Sequence, residues 1–490
     1  MRAGAGVVFA VALGALAGCA TATGAFRCPA AGGPPWREIV SEHFILQTDL
    51  PAPEAGELLG RLERLRASIA VGIPGGAPAP EGRVDVIAFR TLAEYSPFSP
   101  DNALGYYIRY EGGPPRIVVP GEIGPWQHAM LAHEITHDFL AGRYQRQPRW
   151  FAEGLAVYME SVEADPGGRV VTVGAPPPDR LERARAAKVP VREILSWDGG
   201  AAKRRPVDYY AGSWLLVHWL INARPQAFAE LQRQLAAGST PEVAWRTAFP
   251  RIDPDRAGDL EALDEELLAY ARGKLPVARS EGGPPSAVGY FERAFPPVEV
   301  HAIRLEIWHF GPNQSPAAFR AEVEEALAED PTHPVALEYL AGIDRADPLP
   351  YARRAVAGHP NDARAYTFLA DALQGPKYAE EREAAYRRAA ELVPKNAAAL
   401  HNLAEELLAS GKPAAALPVA RQAAELAPWS PPVLAGYAAV LASLGHCSEA
   451  IAVQQRAIEA VPDRGTPEDR RALHQGLARY ADQCHTVVGP

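Results

Sequence analysis

Apolar and polar positions follow two different periods in the first part of the chain. Residues 42–48 and 83–89 are short runs rich in β-branched and aromatic residues, which is typical of strands. Residues 54–71, which lie between those runs, have the pattern of a helix. A further helix is predicted to begin at Pro125 and to end at the stop signal Gly142. This mixture of strands and helices predicts an α+β domain.

The last third of the chain repeats an alanine that is followed five positions later by a proline. The pairs recur every 34 residues, at Ala355/Pro360, Ala389/Pro394, Ala423/Pro428 and Ala457/Pro462. This period resembles that of tetratricopeptide repeats, whose helical hairpins must stack to bury their apolar faces. An earlier pair, Ala326/Pro331, precedes Ala355 by 29 residues and indicates a shortened first unit. We therefore expect an all-α solenoid over residues 316–490, with residues 467–484 as its capping helix.

The predicted helix after Pro125 contains the sequence H-E-I-T-H. Residues four apart share one face of a helix, so His133 and His137 can present two imidazoles to one metal ion. Glu134 lies on the adjoining side of the same turn, within reach of a metal-bound water. Glu153 follows in a second predicted helix whose other residues are mostly apolar, and a carboxylate buried there needs a partner. Two histidines and one glutamate with an open fourth position form a catalytic zinc set.

These two segments, H-E-I-T-H and P-R-W-F-A-E-G-L-A-V-Y, resemble the gluzincin zinc metallopeptidases, in particular the peptidase MA-like group. The resemblance covers residues 37–275 and implies a zincin-like α+β domain with one Zn²⁺ per chain. It implies that His133, His137 and Glu153 are the zinc ligands and that Glu134 is the general base.

A later predicted helix, at residues 208–220, contains Y-A-G-S and matches the family's aromatic-led Y-A-x-S segment. By that resemblance Tyr210 is the candidate that stabilises the oxyanion, with Tyr209 and His218 as alternatives. The competing interpretation is that these aromatic residues only pack in the core. His128 precedes His133 by five residues and is not expected to be a ligand, because it lies off the metal-facing stripe.

The first residues have the composition of an export signal. A short basic start is followed by the apolar residues 7–17, which are too few to span a bilayer. The run ends in L-A-G-C, which resembles a bacterial lipoprotein signal cleaved before Cys19. We expect residues 1–18 to be removed, Cys19 to be acylated, and residues 19–36 to tether the protein to the outer membrane, facing the periplasm. Cleavage after Ala22 by ordinary signal peptidase is the alternative.

The four cysteines and the charge refine this picture. An exported chain meets an oxidising compartment, where Cys447 and Cys484 could form a disulfide, whereas Cys28 has no obvious partner. The formal net charge of -10 argues against nucleic acid as a main partner.

We expect residues 276–315, which are rich in proline and glycine, to be a linker. We expect residues 116–119 to be an edge strand that holds an extended peptide substrate.

Two functional hypotheses follow from different classes of protein. The first is a lipid-anchored zinc metallopeptidase that hydrolyses peptide bonds and whose repeats recruit a substrate or a protein partner. The alternative is a tetratricopeptide scaffold or assembly lipoprotein whose zinc-binding domain has little or no activity. The sequence favours the first, because zinc binding alone needs only the ligands and has no use for Glu134.

Overall fold

The computed structural model describes residues 7–9, 26–76, 82–100, 105–109, 115–121, 125–144, 146–197, 205–283, 288–311, 315–461 and 467–487. Its strands are β1 (Val7–Phe9), β2 (Arg37–Val40), β3 (Phe44–Thr48), β4 (Val84–Phe89), β5 (Tyr106–Arg109), β6 (Arg116–Pro120), β7 (Glu163–Ala164), β8 (Val170–Val173), β9 (Ala278–Glu281) and β10 (Phe291–Ala294).

The helices before the solenoid are α1 (Ala52–Gly72), α2 (Leu92–Tyr95), α3 (Pro125–Arg143), α4 (Arg149–Met159), α5 (Pro178–Ala187), α6 (Val191–Ser196), α7 (Pro206–Ala223), α8 (Pro225–Ala236), α9 (Pro241–Ala248) and α10 (Ala257–Arg272). They are followed by α11 (Pro297–Ile307), α12 (Pro316–Glu329), α13 (Pro334–Asp344), α14 (Pro348–Gly358), α15 (Ala363–Ala372), α16 (Ala379–Leu392), α17 (Ala397–Ala409), α18 (Pro413–Leu426), α19 (Pro431–Ser443), α20 (Cys447–Glu459) and α21 (Pro467–Val487).

Seven of the described strands form a large mixed sheet in the order β1-β5-β6-β4-β3-β2-β10. Strands β3, β4 and β6 are parallel neighbours, and the remaining pairs of this sheet are antiparallel. The short strands β7, β8 and β9 form a second, antiparallel sheet. The metal-motif helix α3 follows β6 in the chain, so the sheet positions the start of that helix.

Both faces of the large sheet are buried by helices. Alternate residues of a strand point to opposite faces. Val86 and Ala88 of β4 accordingly join the main core that includes residues of α1 and α3. Ile87 and Phe89 join a second core that is covered by α11. The N-terminal part of the chain is therefore a mixture of α and β elements packed as layers.

The C-terminal part is a helical solenoid, as the repeat pattern predicts. Helices α15, α17 and α19 begin at Ala363, Ala397 and Pro431, and each pairs with the helix that follows it. The preceding hairpin begins at Pro334, which agrees with the shortened first unit. Small residues form the crossings, since Ala355, Ala389, Ala423 and Ala457 are all buried. The expected capping helix corresponds to α21.

The prediction of a linker at residues 276–315 is wrong. Within this segment β9 pairs with β8, β10 pairs with β2, and α11 covers one face of the large sheet. The two strands are mostly polar and partly or fully exposed, so they lack the alternation of apolar residues that marks a strand in a sequence.

The prediction of an edge strand at residues 116–119 is also wrong. These residues belong to β6, which lies between β4 and β5 and has a pairing partner on each side. A strand whose two edges are paired cannot accept a peptide by strand addition.

The predicted signal and disulfide lie near the two ends of the chain. Val7–Phe9 forms the edge strand β1, whereas Cys19 and most of residues 1–18 lie outside the described residues. Cys447 is disulfide-bonded and Cys28 is free, but the side chain of Cys484 is not among those described. None of the described helices is both long and apolar enough to cross a bilayer.

Gly154 provides a test of how α4 is placed. A methyl group added there would lie 2.5 Å from the carbonyl oxygen of Ser213 on α7. We therefore expect Gly154→Ala to lower the free energy of unfolding by about 1–3 kcal/mol, as overpacking does. Gly258→Ala is the matched control, because that exposed position on α10 has open space around it. Urea unfolding followed by circular dichroism measures both; equal stability of the two variants would contradict the close packing.

Candidate metal centre

Helix α3 presents both motif histidines from one buried face. His133 and His137 are 1% and 6% exposed, and their Nε2 atoms lie 3.2 Å apart. The helix is fixed by the main core, which includes its apolar residues Met130, Leu131, Ile135, Phe139 and Leu140. Because packing holds the backbone of α3, the two imidazoles need no large rearrangement to bind one metal ion.

Helix α4 supplies a carboxylate to the same point. Oε2 of Glu153 lies 3.3 Å from Nε2 of His133 and 3.5 Å from Nε2 of His137. Its other oxygen, Oε1, is 3.8 Å from the guanidinium of Arg149, one turn earlier on α4. Burial alone would raise the pKa of Glu153, but the contacts with the two histidines hold that pKa well below its usual range. The buried carboxylate is therefore ionised and faces two imidazoles.

The spacing of these three atoms fits a small tetrahedral coordination sphere. Ligands bonded to zinc at about 2.0–2.1 Å lie roughly 3.4 Å from one another. The distances here are 3.2, 3.3 and 3.5 Å, and all three ligand atoms fall within 4.8 Å of one another. Two imidazoles and one carboxylate are a donor set of catalytic zinc sites, which keep a fourth position open. The residues present thus fit Zn²⁺.

Glu134 lies next to this cluster without joining it. It is fully buried, and neither of its carboxylate oxygens has a hydrogen-bond partner within the described part of the chain. Burial, as the main cause, raises the pKa of Glu134 to about 8. A buried polar group without a partner costs about 1–3 kcal/mol or more, so its presence in a packed core calls for a functional explanation.

Glu160 orients the first histidine. Its Oε1 lies 3.0 Å from Nδ1 of His133 and 3.5 Å from the guanidinium of Arg180. With the Nδ1 proton directed at Glu160, Nε2 is the nitrogen that faces Glu153. Burial favours a neutral His133, but the hydrogen bonds with Glu153 and Glu160 prevail and raise the pKa of His133 to about 10. Metal binding must therefore displace a proton from this imidazole.

The three candidates for an oxyanion-stabilising residue occupy different environments. The ring of Tyr210 lies 6.3 Å from the ring of His133, centroid to centroid. Burial, followed by the charge of Glu153, raises the pKa of Tyr210, so its hydroxyl stays protonated and can donate. Tyr209 instead donates to Glu193 over 2.9 Å. His218 is hydrogen-bonded to the carbonyl of Gly174 and to the hydroxyl of Tyr270.

His128 is held away from the cluster. Its Nε2 lies 2.9 Å from the carbonyl oxygen of Val162, and the residue lines an open surface cavity of about 700 Å³. The polar lining of that cavity includes Arg61, Arg64 and Glu163. The structure therefore groups His133, His137 and Glu153 and does not bring His128 to them.

One family match lies in each of the two parts of the chain. Residues 127–241 match a family described as a protein of unknown function (DUF1570). This match contains His133, Glu134, His137, Glu153 and Tyr210, but the family description carries no activity. Residues 407–477 match the tetratricopeptide repeat. Together with the repeated hairpins, this match shows that the C-terminal part is a tetratricopeptide-repeat solenoid.

Comparison with solved structures gives matches of low identity. TTC0263, a thermophilic tetratricopeptide-repeat protein of Thermus thermophilus, is 23% identical, with 38% of this chain and 98% of that chain covered and a TM-score of 0.28. PilF of Pseudomonas aeruginosa is 18% identical, with 39% and 90% covered and a TM-score of 0.29. YrrB, described as having an unusual peptide-binding site, is 17% identical, with 34% and 92% covered and a TM-score of 0.25. No match was found among curated protein sequences.

The contact between His133 and Glu160 can be tested by metal affinity. We expect Glu160→Ala to weaken zinc binding by about 10–100-fold, because the imidazole loses the acceptor that fixes its orientation. Glu160→Gln should retain most of the affinity, since its amide oxygen can accept from Nδ1. Glu163→Ala, which removes an exposed carboxylate nearby, is the control. Competition with a chromogenic chelator measures the affinity, and an unchanged value for Glu160→Ala would show that Glu160 does not position the ligand.

Proposed function

We propose that the N-terminal domain is a zinc-dependent peptidase with its active site at His133, Glu134, His137 and Glu153. The observation that carries this proposal is the buried, unpartnered carboxylate of Glu134 beside three converging ligand atoms. A site that only binds metal gains nothing from this residue, whereas hydrolysis requires a base. The class of substrate follows from the resemblance of the two motif segments to gluzincin peptidases.

Each residue has a distinct role in this proposal. His133, His137 and Glu153 would hold Zn²⁺, while Glu160 keeps the first imidazole in the correct orientation. The bound ion supplies Lewis-acid chemistry and lowers the pKa of a water molecule from about 15.7 toward 7. Glu134 accepts the proton of the attacking water and can return it to the leaving amine.

Tyr210 is the residue that we propose as hydrogen-bond donor to the developing oxyanion. It lies beside His133, whereas the hydroxyl of Tyr209 is occupied by Glu193 and both ring nitrogens of His218 have partners. A preorganised donor that acts in the transition state contributes about 2.7–4 kcal/mol. The hydroxyl of Tyr210 itself contacts Arg149, and its position beside the proposed metal ligands is our reason for preferring it to the other two candidates.

The second candidate function is a protein-binding scaffold, which is supported by the tetratricopeptide match at residues 407–477. Stacked repeats of this kind form concave surfaces that bind peptides or proteins. This role does not depend on catalysis and accounts for the solenoid in either case. For both functions we place the protein at the bacterial cell envelope, anchored through Cys19, and we propose that the solenoid recruits a substrate or protein partner.

The main test separates zinc binding from cleavage. We expect Glu134→Gln to hold as much zinc as the parent chain but to lose peptide cleavage by a factor of about 10² or more, because the base is removed and the ligands remain. His133→Ala should lose cleavage and hold one zinc per chain fewer than the parent. Zinc content by mass spectrometry and cleavage of a peptide library measure the two properties.

Three outcomes would each contradict a part of this proposal. Cleavage by Glu134→Gln at the parent rate would exclude Glu134 as the base. A parent chain that holds zinc, is folded and cleaves no member of the library would favour the scaffold function instead. Absence of zinc after mild metal loading would contradict the metal site itself.

The role of Tyr210 has its own test. Tyr210→Phe should lower kcat by roughly 10²–10³-fold with little change in KM, because the hydroxyl acts on the transition state. Tyr209→Phe removes the neighbouring hydroxyl, which bonds Glu193, and should leave kcat nearly unchanged. Equal effects of the two substitutions would assign both tyrosines to packing.

A further inference from the structure

A second group of metal-binding side chains lies far along the sequence from the candidate active site. Cys28, His301 and Glu329 each offer one ligand atom, and these atoms lie within 4.8 Å of one another. Sγ of Cys28 donates to Oε1 of Glu329 over 2.9 Å, and Nε2 of His301 lies 3.5 Å from the same oxygen. The three residues come from the segment before β2, from α11 and from the end of α12.

The histidine of this group is aimed into the cluster by its neighbours. His301 is completely buried, and its Nδ1 bonds Oε1 of Glu322 over 2.7 Å. Arg304 holds the same carboxylate through two hydrogen bonds of 2.7 and 2.9 Å. Nε2 of His301 is thereby directed at Cys28 and Glu329, and it has no hydrogen-bond partner within the described residues. A carboxylate behind a histidine is the arrangement that orients metal-binding imidazoles.

The cysteine is held by a tight turn. The backbone N–H groups of Ala31 and Gly33 both donate to the carbonyl oxygen of Cys28, each over 2.9 Å. A side chain at Gly33 would overlap the carbonyl oxygen of Arg27, so the turn requires glycine there. The preceding Phe26 packs its ring edge-on against His301, at 6.2 Å between centroids. Cys28 itself is only 5% exposed.

We propose that Cys28, His301 and Glu329 form a second metal site, which takes a thiophilic divalent cation of the zinc class. Thiolate, imidazole and carboxylate together are ligands that zinc accepts, and tetrahedral bonds of about 2.0–2.3 Å place such atoms roughly 3.5 Å apart. The metal replaces the proton that Cys28 shares with Glu329 and releases it to solvent. Its effect is to fasten the segment that follows the proposed lipid anchor to the hairpin of α11 and α12.

This site and the candidate active site share no residue, so each can be measured without the other. The experiment uses the full chain carrying His133→Ala, which removes a ligand of the active site. Cobalt(II) is the probe, because a cysteine thiolate bound to cobalt gives a charge-transfer band in the near ultraviolet. We expect His133→Ala to bind one cobalt per chain with this band, and to lose band and metal on addition of Cys28→Ser.

Two controls separate ligand loss from unfolding. His359→Ala in the same background should keep the band, because His359 forms a comparable pair with Asp330 over 2.8 Å but lies outside the cluster. In the presence of a chelator, the double variant His133→Ala/Cys28→Ser should unfold at the same temperature as His133→Ala, since the serine hydroxyl can still donate to Glu329. With added zinc only the chain that retains Cys28 should unfold at a higher temperature.

Several results would overturn the site. A His133→Ala chain that binds no cobalt would do so, as would a band that survives Cys28→Ser. If Cys28→Ser shows a lower midpoint in chelator and zinc raises both midpoints equally, the cluster is a hydrogen-bonded group that holds no metal. These results do not test zinc binding by His133, His137 and Glu153. That binding is measured separately, in the parent chain and in Glu134→Gln.

Discussion

The candidate active site depends on the burial of charge between two helices. Glu153 is 1% exposed on a helix that is otherwise apolar, and an isolated ionised carboxylate in such a place would be very costly. The two imidazoles of α3 compensate for that cost, and this requires α3 and α4 to keep their relative positions. Gly154, the next residue, lets α7 pack closely against α4 and so helps to fix the helix that carries Glu153. Packing and electrostatics thus act on the same helix.

The same burial makes a carboxylate at position 134 costly. A helix that places His133 and His137 inward must also bury most residues around them, but nothing in packing demands a carboxylate there. An alanine or leucine at this position would avoid a desolvation cost of several kcal/mol. The retained cost is consistent with a group whose partner arrives with the substrate or the water, rather than with a structural role.

Local features of the candidate site could be predicted from the sequence. The spacing of His133 and His137 is a property of any helix, so the prediction needed no tertiary information. The 34-residue repeat likewise predicts the solenoid hairpins by nearest-neighbour stacking alone. Glu153 is predicted from its apolar surroundings and from the family resemblance, and the folded chain brings it to the histidines.

Features that depend on distant contacts could not be predicted. Glu160 is separated from His133 by a turn and a helix, and only the folded positions show which nearby carboxylate bonds its Nδ1. Strands β9 and β10 lie in a segment that is rich in proline and glycine and exposes its side chains, so no apolar alternation marks them. Cys28 and His301 are 273 residues apart in the chain, and their meeting depends on how α11 covers the sheet.

The solenoid and the domain that carries the candidate metal centre are joined by an apolar contact and by an ion pair. Val300, Ile303 and Ile307 of α11 enter the core on one face of the large sheet, which removes apolar area from water. Near the far end of the solenoid, Arg146 in the connection between α3 and α4 pairs with Glu459, whose side chain is 40% exposed. The geometry of the candidate metal centre therefore rests on the packing of α3, α4 and α7, whereas α11 attaches the solenoid to the other face of the large sheet.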